Sequence, residues 1–222
     1  TYAVWELYVI DDCSIDSTAR IVHALLSADK RIKYLRLKQN SGVAAARNLA
    51  LDLIDGDYIA FLDSDDVWSP NKLEVQLPYL EAGYHVVCSD FNFFCGTPRN
   101  IIRSSNKKEY FDYNDMLKGN NIGNLTGVYS RKAIGVVSQK EIGHEDYVMW
   151  LEIMAVCRSG YCIKQILASY RLSDTSLSAN KLRSARWQWN ILRKYAGLSV
   201  ISATYHLVFY CYNAVFGRVR RL

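Results

Sequence analysis

No aspartate or glutamate follows Asp174, so the carboxyl-terminal part of the chain carries charge of one sign only. Proline is nearly absent, with 3 residues, and glycine is sparse, with 12, which excludes collagen-like and low-complexity chains. No segment repeats at the period of about 20–50 residues that marks solenoids and propellers. The six cysteines include no Cys-x-x-Cys pair, so a zinc site is not expected. A chain of 222 residues has room for a sizeable core without disulfide staples, and no secretory signal pattern opens it. The expectation is reduced thiols in a cytoplasmic compartment.

Half of the residues are hydrophobic, as suits one domain with an appendage. The formal net charge of +5 hides a division. Eight of the 27 Lys and Arg lie between Lys181 and Leu222, which leaves 19 against 22 acidic residues in the rest. The body, residues 1–180, is mildly acidic and the tail, 181–222, strongly basic; a basic tail points to an anionic surface.

Strand and helix signals alternate along the body. Trp5 to Ile10 reads as a strand that ends at Asp11-Asp12. Asp16 or Ser17 caps a helix to about Leu26, with Ile21, Val22, Leu25 and Leu26 on one face. Ile32 to Leu37 alternates like a half-buried strand. Val43 to Leu53 is an Ala-rich helix, Tyr58 to Leu62 a strand, and Ser69-Pro70 the start of a further helix that Pro78 limits or kinks. His85 to Ser89 is the next strand. This β-α-β-α-β-α-β order predicts a parallel sheet covered by helices. Phe91 to Lys108 is polar and irregular, a hairpin or an acceptor-side loop. A strand near Leu125 to Tyr129, a helix from Glu145 to about Val156, a strand from Tyr161 to Tyr170 and helix from about Leu182 complete the pattern.

The apolar strand that ends at Leu62 runs into Asp63, Asp65 and Asp66. Like charges gathered at one strand end need a cation, and oxygen-only ligands suit Mg²⁺ or Mn²⁺. Such an ion commonly holds a phosphorylated substrate, at the carboxyl edge where open α/β sheets bind ligands. Asp63-Ser64-Asp65 is therefore the metal candidate. Asp11-Asp12 follows the first strand, where a carboxylate can accept from a pyrimidine N3–H; Asp16 and Ser17 beyond it read equally as a plain helix cap. Asn40 to Asn48 joins a strand to a helix, with Gly42 for a tight turn and Arg47 able to reach a diphosphate. His144-Glu145-Asp146 opens a helix, where carboxylates serve as ordinary dipole partners or place Asp146 as a general base.

Taken together and in order, these four stretches closely resemble the family 2 glycosyltransferases, which have the GT-A fold. The family phrases V-D-D-G-S-x-D, N-x-G-x-x-x-A-R-N, F-L-D-x-D-D and E-D-x-x-x-W-L correspond to Ile10–Asp16, Asn40–Asn48, Phe61–Asp66 and Glu145–Leu151. The resemblance covers roughly Trp5 to Lys181. It implies an α/β, Rossmann-like, mostly parallel sheet flanked by helices, with the family's first strand and helix missing ahead of Thr1. It also implies a nucleotide-sugar site: Asp12, with Asp11, on the base; Arg47 near the base or diphosphate; Asp63 on the ribose or sugar; Asp65 on Mn²⁺ or Mg²⁺; Asn48 and Ser64 in the same site. Asp146, with Glu145 and His144 beside it, would deprotonate the acceptor hydroxyl in an inverting displacement. Arg171 or Lys181 would close over the diphosphate from a loop that includes Ser173 to Ser178. Processive members carry Gln-x-x-Arg-Trp where this chain has Arg183-Ser184-Ala185-Arg186-Trp187, a departure that argues for addition of a single sugar.

Tyr195 to Gly217 holds no charged residue apart from His206 when protonated, yet Tyr195, Ser199, Ser202, His206 and Asn213 share one narrow helical sector. A polar stripe favours a helix lying on a membrane surface, or packed on the body, over one that crosses lipid. Arg193, Lys194, Arg218, Arg220 and Arg221 flank it and would meet anionic headgroups. The expectation is a UDP-sugar-dependent enzyme with a saccharide or lipid-linked saccharide acceptor, no nucleic-acid partner, peripheral membrane contact at the inner face of the plasma membrane, and a role in surface-polysaccharide synthesis. The alternatives are a sugar-phosphate nucleotidyltransferase and a non-catalytic, membrane-associated partner with an incomplete nucleotide site.

Overall fold

The computed structural model describes residues 1–172 and 181–216. The chain begins with β1 (Leu7–Asp11), α1 (Thr18–Ala28), β2 (Ile32–Arg36) and α2 (Gly42–Leu51). Next come β3 (Tyr58–Ala60), a short β4 (Val67–Trp68), α3 (Lys72–Glu81) and a long β5 (Val86–Phe94). The hairpin strand β6 (Ile101–Ser104), β7 (Tyr110–Asp112), α4 (Tyr113–Leu117), β8 (Val128–Ser130) and α5 (Arg131–Ile134) lead to α6 (Glu145–Cys157) and β9 (Ser159–Arg171). The tail forms α7 (Lys181–Asn190), a π-helical turn (Ile191–Tyr195) and α8 (Val200–Phe216).

The class is α/β. β1 and β2 pair in parallel, and the long ladder of β5 with β9 is also parallel. The main sheet runs β3-β8-β5-β9-β4. β8 lies between β3 and β5 and is antiparallel to both, so β3, β5 and β9 all point the same way. The short strands β4, β6 and β7 pair antiparallel at the margins.

α6 explains where the core sits. Seven of its 13 residues are buried, from Tyr147 to Leu151 and then Ile153 and Met154. A helix that is apolar all round must pass through the interior rather than lie upon it. Trp150 at its centre meets the edges of Phe61 and Tyr129, and Gly127 leaves room for its ring: a Cβ there would stand 2.4 Å away. Ile191, Leu192 and Ala203 of the tail belong to the same apolar cluster. The buried Asp90 of β5 is satisfied by Lys164 at 2.5 Å, Ser105 Oγ at 2.9 Å and the Lys107 amide at 2.7 Å.

Three local expectations differ. α3 begins at Lys72, not at Ser69-Pro70, because the Ser69 amide is still tied to the Leu167 carbonyl beside the β4–β9 ladder (2.9 Å). On α1 only Val22 is buried, while Ile21 and Leu25 are exposed; the two-stranded sheet beneath is too narrow to cover the whole face. Ser17 makes no side-chain cap bond, and the Asp16 carboxylate receives the Thr18 amide and hydroxyl instead, at 2.9 and 2.6 Å. Phe91 to Lys108 is the expected hairpin, with β5 extended to Phe94 and returned as β6. Ser173 to Ser178 lies outside the described residues.

Candidate active site

Four segments converge at the carboxyl ends of β1, β3 and β9. β1 delivers Asp11 and Asp12. Asp11 is buried and spent within the fold: its carboxylate takes the Ser14 amide at 2.7 Å and the Tyr34 hydroxyl at 2.5 Å, with Arg36 at 3.7 Å. The bonds from Ser14 and Tyr34, with Arg36 nearby, hold its carboxyl below the usual range despite burial. Asp12 reaches across to the start of α2 and accepts the Ser41 and Gly42 amides at 2.7 and 2.8 Å. That is a helix N-terminus capped from another strand, and Gly42 supplies the positive φ (86°) that the entry turn needs.

α2 presents Arg47 and Asn48 one turn further on. Arg47 donates to the Asp63 carboxylate and to Gln139 Oε1, the latter at 2.9 Å. Asn48 is locked to the Gln139 backbone in both directions, at 2.7 and 2.8 Å. Gln139 is almost wholly buried and also donates to the Met149 sulfur of α6 (3.4 Å). This one side chain thus joins α2, the loop before α6 and α6 itself. No motif marks Gln139 in the sequence; its role follows from position alone.

Beyond β3 the acidic turn is closed by the Asp66 amide on the Asp63 carbonyl (3.0 Å). Ser64 and Asp65 are exposed, Asp63 is half-buried and Asp66 is buried. Burial, reinforced by Asp65 and Asp63, pushes the Asp66 carboxyl up to about 7 in spite of the Arg171 amide bonded to it. Arg171 grips this turn from the end of β9: its Nε donates to the Asp65 carbonyl at 3.0 Å and a terminal nitrogen to the Gly96 carbonyl at 2.5 Å. Its guanidinium is thereby placed to shape the acidic turn. Lys181 lies in α7.

α6 starts at the far wall. Glu145 folds back to accept the Gly143 amide (3.1 Å). His144 packs edge-on against Trp187 of α7, with ring centroids 4.5 Å apart, and burial lowers its pKa against the pull of Asp146 and Glu145. The Asp146 carboxyl is raised above the usual range by desolvation, which outweighs the nearby Arg47 and His144, while Asp63 adds to the rise. Tyr170 precedes Arg171 near the end of β9. Its hydroxyl is pushed up by burial and then by Asp66, Asp65, Asp63 and Asp146, so a single ring feels all four carboxylates. The sequence shows Tyr170 only as the last residue of a strand; its register opposite Phe93 on β5 brings it here.

Among the described residues no cluster of three or more His, Cys, Asp or Glu is arranged to enclose a metal ion. The donor set is instead an oxygen pair, Asp63 and the exposed Asp65, beside a buried Asp66 oxygen without a partner. That set fits a Mg²⁺-like ion held by one or two carboxylates and completed by substrate phosphates.

The sequence profile of "Glycosyl transferase family 2" matches residues 1–134. Over 220 residues the chain is 36% identical to TuaG of Bacillus subtilis, whose name assigns it to teichuronic acid biosynthesis; the match covers 95% of this chain and 84% of TuaG. It is 37% identical over 202 residues to WfgD of Escherichia coli, a UDP-Glc:alpha-D-GlcNAc-diphosphoundecaprenol beta-1,3-glucosyltransferase, covering 86% of this chain and 75% of that protein. Among solved structures, Staphylococcus aureus TarS in complex with UDP-GlcNAc superposes with a TM-score of 0.68 at 18% identity. The likeness covers 95% of this chain and 64% of the TarS chain, and it carries the GT-A fold. A mannosyltransferase from Pyrobaculum calidifontis, in complex with GDP-Man and Mn²⁺, gives 0.64 at 15% identity over 95% of this chain and 61% of its own. The profile takes in more than half of the chain, its phrases are those that build the acidic turn and the Asp12–α2 junction, and the protein belongs to glycosyl transferase family 2.

Proposed function

We propose that the protein is an inverting, divalent-metal-dependent glycosyltransferase that moves one sugar from a UDP-sugar to a hydroxyl of a lipid-linked saccharide during surface-polysaccharide synthesis. The observation that carries this reading is the acidic turn after β3, held by Arg47 on the Asp63 carboxylate and by Arg171 on the Asp65 carbonyl and the Asp66 carboxylate, with Asp146 in the first turn of α6. Support for the donor comes from TarS, which holds UDP-GlcNAc, and from WfgD, which uses UDP-Glc on a diphosphoundecaprenol acceptor.

In this scheme Asp65 and Asp63 would hold the ion, which supplies positive charge where the leaving diphosphate develops negative charge. Arg47 keeps Asp63 oriented, and Arg171 keeps the Asp65 turn in shape. Asp12 organises the α2 entry turn on the nucleotide side. Asp146 accepts the proton of the acceptor hydroxyl as its oxygen bonds to the anomeric carbon and the bond to the diphosphate oxygen breaks. The raised carboxyl of Asp146 suits that task, because a stronger base takes the proton more readily. Contact with the cytoplasmic face of the plasma membrane through the basic tail belongs to the same reading.

Calorimetry with UDP tests it. The expected result is UDP binding that depends on Mn²⁺ in the wild type and is lost in Asp65→Asn at an unchanged thermal midpoint. A folded sample that takes up no UDP with or without Mn²⁺ would overturn it in favour of the non-catalytic partner.

A further inference from the structure

α8 turns a continuous apolar face outward. Ile201, Tyr205, Val208 and Tyr212 follow one another at spacings of four, three and four residues, the repeat of one helix face, and Phe209 lies beside them. All five are exposed, Ile201 at 85% and Val208 at 61%. The opposite face holds Ala203 and His206, both buried, and the half-buried Leu207 and Tyr210. Ser202 and His206, the centre of the expected polar stripe, are therefore turned toward the body, and the side exposed to solvent is the apolar one, with Lys118 reaching the Phe209 ring at its margin (5.8 Å).

We infer that this face is a membrane-docking surface for an anionic lipid bilayer, with α8 lying flat in the headgroup region. It builds on the lipid-linked acceptor proposed above and names the part of the molecule that meets the lipid. Length and polarity rule for a flat helix: 17 residues span only about 26 Å, and no described helix is long and apolar enough to cross a membrane. Three of the five outward side chains are aromatic, the type that settles at the boundary of headgroup and acyl chain. Charge selects the partner. Arg193 and Lys194 are exposed just ahead of α8, Arg218, Arg220 and Arg221 follow it in sequence, and no acidic residue occurs anywhere beyond Asp174. A second copy of this chain would set like charge against like, whereas phosphate headgroups complement it.

The position of α8 also connects to the site. α8 packs on α7. α7 in turn places Trp187 against His144, and Gln188 donates to the Tyr147 hydroxyl and the Leu117 carbonyl at 3.1 Å each. A bilayer held by α8 is thus two helices away from the start of α6 and Asp146. An acceptor sugar tethered to a lipid carrier would be presented from that side.

The test is flotation of the full chain with two kinds of vesicle, phosphatidylcholine alone and phosphatidylcholine doped with phosphatidylglycerol. The expected result is association with the doped vesicles, reduced at least about tenfold in Ile201→Asp/Val208→Asp. Arg193→Gln/Lys194→Gln, which leaves the apolar face intact, should weaken binding to doped vesicles and thereby supports the charge argument even if the first variant folds poorly. No association of the wild type, or association unchanged in both variants, overturns the inference. So does a dimer in sedimentation that Ile201→Asp/Val208→Asp dissolves, since the face would then be taken by a second copy. UDP calorimetry on the same samples separates the two readings. Vesicle binding without UDP binding supports the surface and sinks the transferase; UDP binding without vesicle binding does the reverse.

Discussion

Lys72 lies wholly inside the protein, with no hydrogen-bond partner for its ammonium and the Trp68 ring 4.0 Å away. Desolvation lowers its pKa from 10.5 to about 7. The unfolded chain holds this proton up to about pH 10 and the folded one releases it near pH 7, so folding is opposed most at and below neutrality and the opposition fades as pH rises from 7 to 10. Lys72→Met should therefore be more stable than wild type by on the order of 4 kcal/mol at pH 7 and by under about 1 kcal/mol at pH 10. Urea melts at the two pH values check this; an equal gain at both would show that packing, not ionisation, is the cause. Asp146 is the second decisive residue. Asp146→Asn keeps the shape and removes the proposed base, so UDP binding should persist while turnover falls by about 10²–10⁴-fold. Full turnover in that variant would place the base elsewhere.

The segment that enters α6 works as an element. Gly143 has φ of 88°, and a Cβ on it would stand 2.9 Å from the Trp187 ring. A side chain there is opposed by backbone conformation and by the indole together. Gly143→Ala should cost about 1–2 kcal/mol, or about 2–8 °C in thermal midpoint for a chain of this size. Because Trp187 also carries His144, turnover should fall while UDP binding holds. A thermal scan with kcat measurement decides; an unchanged midpoint would mean that α7 yields freely. Gln139 shows the same economy in reverse, since one buried amide group ties α2 to the α6 side of the site.

At the scale of the whole molecule, charge and apolar surface are divided between the two ends of the chain. The acidic turn lies at the carboxyl ends of strands that share a direction, and the basic segment carries α8 with its uncovered apolar face. Much of this was legible in the sequence because it is local. Period, caps and the four acidic or amide-rich phrases depend on neighbours a few residues apart, so the α/β class, the strand-end location of Asp63 and Asp65 and the start of α6 at Glu145 could all be read directly. What the sequence could not show depends on contacts between distant residues. β8 slips antiparallel between β3 and β5 through pairings that no local pattern encodes. Asp11 and Asn48, both plausible ligand contacts by motif, have their polar atoms taken up by Tyr34, Ser14 and Gln139. Tyr170 reaches the carboxylates only through the register of β9 on β5. Local chemistry thus determined which side chains could act, whereas the tertiary structure decided which remained free to do so and which face of α8 was left open, because burial and hydrogen-bond partners are properties of the packed chain.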